Sequence, residues 1–108
     1  MDAKEFVASW KREKEYLLET FIDPSGESMI AQKIRNLNLT YDQNKLMKEI
    51  VNDILTDTFY TLLLGLDGEA NIGDVQTAFK IHDENGNVIS SVGEIEAEAW
   101  EQFHEEKK

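Results

Sequence analysis

Over about residues 3–21, apolar side chains return at the spacing of a helix: Phe6, Val7, Trp10, Leu17, Leu18 and Phe21 recur on one side, while Lys11, Arg12, Lys14, Glu15 and Glu19 fall mostly on the other. Asp2 stands where an N-cap belongs, with Glu5 three places on as its capping-box partner. Asp23-Pro24-Ser25-Gly26 ends the pattern, since proline disfavours helical geometry in the residue before it. A shorter helix is predicted from Ser28 to about Leu37, with Met29, Ile30, Ile34 and Leu37 on its apolar side. Thr40 and Gln43 then form a second capping-box pattern. The longest periodic run follows, from Tyr41 to Leu64, with a stripe of Leu46, Met47, Ile50, Val51 and Ile54. From Phe59 to Leu64 the run is apolar on nearly every side, the mark of a helix buried all round. This helix is expected to be the hub of the core, with Gly65 as its stop.

Beyond it the period changes. Residues 65–74 hold three glycines and three acids and read as a loop with at least one positive φ. Val75, Thr77, Phe79 and Ile81 then alternate with Gln76, Ala78, Lys80 and His82, a period of two that predicts a half-buried strand. Asn85-Gly86 is a strong hairpin-turn signal, and Val88 to Val92 supply a returning strand. After Gly93 helical spacing resumes, with Ile95, Ala99 and Phe103 on one face. The expected fold is a single α+β domain over 1–108: three N-terminal helices, an antiparallel β-hairpin and a C-terminal helix. Two strands are marginal alone, so a third is expected from the segment around Ile72 or from a second subunit, as in a homodimer.

Composition narrows the chemistry. The chain has no cysteine, which excludes disulfides, thiol catalysis and Cys-ligated metal. Its opening residues lack the apolar core of a signal peptide and its longest apolar runs are too short for a membrane span, so a cytoplasmic location is expected. The net charge is −11. Residues 1–54 carry 10 acids and 8 bases, net −2, whereas residues 55–108 carry 12 acids and 3 bases, net −9. Such a chain is repelled by nucleic acid and by anionic lipid and attracts basic partners.

The stretch Asp83 to Glu94, DENGNVISSVGE, sets Asp83, Asn85, Asn87 and Glu94 at positions 1, 3, 5 and 12 of a calcium loop. Position 6, which needs glycine, is Val88, and the preceding segment alternates like a strand where a calcium loop follows a helix. The hairpin reading is therefore preferred and no metal or other cofactor is expected. The glycine loop lacks the Gly-Lys-Ser/Thr of a phosphate site, and its Asp67, Glu69 and Asp74 read as solvated or capping residues. His82 and His104 stand in no recognisable catalytic motif, so an enzyme is not expected.

The constellation of most interest is EIEAEAWEQFHEE. On a helix Glu94, Glu98, Glu101 and Glu105 share an edge, away from Ile95, Ala99 and Phe103, and Trp100 stands beside them. Like charges four residues apart oppose the helix by about 0.2–0.5 kcal/mol per pair. An aromatic flanked by charges is a common layout for a protein-binding surface, and a solvated helix face is the plainer alternative.

The LLLGLDG loop, the DENGN turn and the GEIEAEAWEQFHEE tail give the second half, about 45 residues, a resemblance to small acidic bacterial proteins, some of immunity-protein type. The resemblance implies a non-enzymatic domain that binds a basic, nuclease-like toxin through an acidic surface, for which Glu94, Glu98, Glu101, Glu105 and Trp100 are the candidates. A metal-responsive regulatory module and a ligand-free oligomeric domain are the alternatives.

Overall fold

A computed structural model describes residues 1–90 and 93–105. It contains four helices: α1 (Ala3–Ile22), α2 (Met29–Asn36), α3 (Tyr41–Leu66) and α4 (Glu94–Phe103). Local chemistry starts the first three. The Asp2 carboxylate accepts from the Glu5 amide, the Ser28 hydroxyl accepts from the Ala31 amide, and Thr40 and Gln43 form a full capping box. The guanidinium of Arg35 ties the α1–α2 loop to α2 by donating to the carbonyls of Pro24 (3.2 Å) and Gly26 (2.7 Å).

The core lies at one pole. The first half of α1, the second half of α3 and α4 meet there and bury Ala3, Val7, Leu63, Ile95, Ala99 and Phe103, with Trp10, Phe59 and Leu66 against them. Gly65 is not a stop but a buried position inside α3: a Cβ there would lie 2.4 Å from Cγ1 of Ile72, so glycine is what lets the following loop fold back onto the helix. The far pole is open. Among the described residues α1 is the one helix that α2 packs on, with Ala31 buried, and a groove of about 610 Å³ separates it from the start of α3, lined by Phe21, Ile34, Leu39, Tyr41 and Met47. The radius of gyration is 16.3 Å, against roughly 13 Å for a compact domain of this length.

Two further expectations are overturned. The α+β class fails, because residues 67–90 form no sheet: three isolated antiparallel bridges, Asp67 with Ala78, Ile72 with Val75 and His82 with Val88, are all the strand pairing among the described residues. The reason is visible residue by residue. Val75, Thr77 and Phe79 are exposed along with Gln76, Ala78 and Lys80, so the alternation has no layer to pack against. The Phe79 amide donates instead to Leu66 O at the end of α3 (3.0 Å), and Gln76 Nε2 to Gly68 O (3.0 Å). The chain does reverse at Gly86 (φ +83°), and two backbone bonds cross the reversal, from the Asp83 amide to Asn87 O (3.0 Å) and from the Ile89 amide to Ile81 O (2.8 Å), but side chains supply the rest of the pairing. Asp83 Oδ1 accepts from the amides of Asn85 (2.9 Å) and Asn87 (3.0 Å), and Ser90 Oγ accepts from the Ile81 amide (2.8 Å). Of the proposed returning strand, Ser91 and Val92 lie outside the described residues.

α3 joins the core through its second half alone, and even there Leu62 is 37% exposed, so the Phe59–Leu64 run is not buried all round. Leu46, Ile50 and Ile54, the heart of its predicted core stripe, are 55%, 45% and 58% exposed.

Candidate functional site

The sequence directs attention to α4, whose ten residues are too few to be stable alone. Gly93, its N-cap, adopts φ +80° and offers no side chain to the free amides of the first turn. Asp67, at the end of α3, supplies the cap from 29 positions away: its Oδ2 accepts from the Glu96 amide at 2.9 Å. Gln102, buried on the inner face, donates through Nε2 to Lys4 O and to Glu98 Oε1, both at 3.1 Å, and so fastens α4 to the first turn of α1.

The four glutamates of the predicted stripe have different surroundings. Glu94 and Glu101 are exposed, while Glu98 is half-buried and occupied by Gln102. The helix ends at Phe103, and Glu105, no longer in helical register, returns to accept from the Trp100 indole Nε1 at 3.2 Å. Trp100 itself is 50% exposed. Its ring stands 6.4 Å from Tyr60 and 5.0 Å from His104, and His104 meets Tyr60 edge-on at 4.4 Å. Burial, and then the nearby Glu96 carboxylate, raise the Tyr60 pKa above the ordinary phenol value. The result is a Trp100–His104–Tyr60 cluster in which the indole stays half-exposed, with Glu96 near Tyr60 and Glu105 on the indole nitrogen. Tyr60 and Glu96 were not legible as members, because Tyr60 sits in an apolar run of another helix and only packing brings it here.

The remaining candidates fall elsewhere. In the DENGN turn both Asp83 oxygens are already engaged: Oδ2 accepts from Asn87 Nδ2 (3.0 Å) and lies 3.4 Å from the terminal amine of Met1. Glu94 opens α4 rather than closing a loop. In the glycine loop Asp67 is spent on capping, and Glu69 and Asp74 are exposed. Among the described residues, no group of three or more His, Asp or Glu side chains is placed to hold a metal ion. His82 is exposed beside the turn. No helix among the described residues is long and apolar enough to cross a membrane.

No family model, curated protein or solved structure matches the chain.

Proposed function

We propose that the chain is a non-enzymatic, cytoplasmic protein-binding domain whose acidic half engages a basic protein, a nuclease-like toxin neutralised by an immunity protein being the kind of pair it resembles. What supports this is the half-exposed Trp100, packed against Tyr60 and His104 and bonded to the Glu105 carboxylate. An aromatic side chain already fixed in place loses little entropy on binding, and the net −9 of residues 55–108 steers a basic partner toward it.

The test uses a basic partner recovered by crosslinking from the source cells and then purified. Replacing Glu94, Glu101 and Glu105 by lysine is expected to slow association about tenfold or more and to flatten its salt dependence. Glu98 is left alone in that variant because changing it would also disturb Gln102. Trp100→Ala is expected to cost about 2 kcal/mol of affinity. Unchanged rate and affinity in both variants would remove this surface from the reading.

A further inference from the structure

The ridge Leu46, Ile50 and Ile54 lies on the side of α3 opposite to Phe59, Leu63 and Leu66, given about 100° per residue. α3 therefore has two apolar faces. The second half of one is covered by α1 and α4, while the ridge is bare. Met29, Ile30, Leu37 and Tyr41 are exposed at the same pole. Apolar exposure of this extent, grouped at one end of an elongated molecule, marks an interaction surface.

We propose that this ridge is the contact of a homodimer, in which two copies of α3 cross about a two-fold axis near Ile50. Charge selects the occupant. The pole from Asp23 to Ile54 carries five acids (Asp23, Glu27, Asp42, Glu49, Asp53) and four bases (Lys33, Arg35, Lys45, Lys48), net −1, although the whole chain carries −11. Two copies meeting by this pole hold their net −9 halves apart. A strongly basic partner, by contrast, gains little from so nearly neutral a surface and is drawn to the far end.

Residue spacing selects the geometry. Leu46, Ile50 and Ile54 stand four apart and form one i±4 row. Interlocking two such rows gives a crossing near −50°. At that angle contact is concentrated around Ile50, and the acidic edge formed by Glu49 and Asp53 diverges from its copy instead of lying along it. A single ridge covers less than the roughly 800 Å² per partner of a standard interface, which places the dimer among weak, concentration-dependent associations.

The experiment is sedimentation equilibrium of the full chain from about 1 μM to 1 mM, at low and high salt. The expected result is a monomer–dimer equilibrium that strengthens with salt, because screening reduces the repulsion between two −11 chains. Ile50→Asp is expected to raise the dissociation constant about tenfold or more. Its circular dichroism and thermal unfolding at the dilute end should be unchanged, since Ile50 is exposed in the monomer. Glu101→Lys is expected to leave the dimer intact. A monomer throughout the range would overturn the proposal, and so would a dimer indifferent to Ile50→Asp or one that salt dissociates. The outcome is independent of whether the Trp100 surface binds a basic protein.

Discussion

Asp83 shows how one carboxylate can fix a turn from within. It accepts from the Asn87 side chain, the Asn87 amide and the Asn85 amide, and in that order of influence these bonds hold its pKa at about 2, below the ordinary 3.8, with a smaller contribution from the terminal amine. Because the folded value is the depressed one, the turn's stabilising contribution is complete above the ordinary aspartate range. It is lost as pH falls through about 2. A carboxyl carbon-13 NMR titration is expected to place the Asp83 midpoint near 2. In Asn87→Ala it should move up toward the ordinary range; a wild-type midpoint already in that range would show that the turn does not depend on these bonds. Thr56 offers a contrast, with a buried hydroxyl that has no hydrogen-bond partner among the described residues. Such a group opposes folding by about 1–3 kcal/mol.

α4 is the element on which the candidate site depends, and its cap is its weak point. Asp67→Ala leaves the first-turn amide of Glu96 without its acceptor and removes a negative charge from the positive end of the helix dipole. The expected cost is about 1–2 kcal/mol in urea unfolding, with amide exchange in α4 accelerated more than in α1. Equal stability and unchanged exchange would mean that packing of Ile95 and Phe103 alone holds the helix. This bond also marks the boundary of what could be read in advance. The caps at Asp2, Ser28 and Thr40 act within three residues, so the starts of α1, α2 and α3 were legible from spacing. Asp67 acts across 29 residues: capping was one of two readings open for it and its loop neighbours, but spacing could not point to α4 as the helix it caps. The segment from Val75 to His82 failed for the converse reason: alternation is only a pattern, and a strand needs a neighbour and a layer, neither of which a local pattern supplies. The pairing of Trp100 with Glu105 joins two residues that spacing had put side by side, but on a helix that in fact ends at Phe103, and the engagement of Glu98 depended on Gln102.

The whole molecule is a rod with a finished pole and an unfinished one, and this was the least legible property of all. Apolar periodicity along α3 announces that Leu46, Ile50 and Ile54 want cover, but not that α1 and α4 reach only the other half of the helix. The consequence is an uneven distribution of stability along one continuous helix. In the second half, opening the hydrogen bonds around Leu63 requires separating α1, α3 and α4 and exposing Val7, Ile95 and Phe103, which approaches global unfolding. In the first half, residues 41–55 shed little buried surface when they open, because the ridge is already in water and α2 stands across a groove. At concentrations low enough to keep the chain monomeric, hydrogen exchange is therefore expected to be faster by about tenfold or more over 41–55 than over 58–66. Raising the concentration should slow the first segment selectively, since dimerisation covers Ile50 and its neighbours and leaves the other pole as it was. Uniform protection along α3 at all concentrations would mean that the helix opens as one unit and that the bare ridge costs the fold nothing.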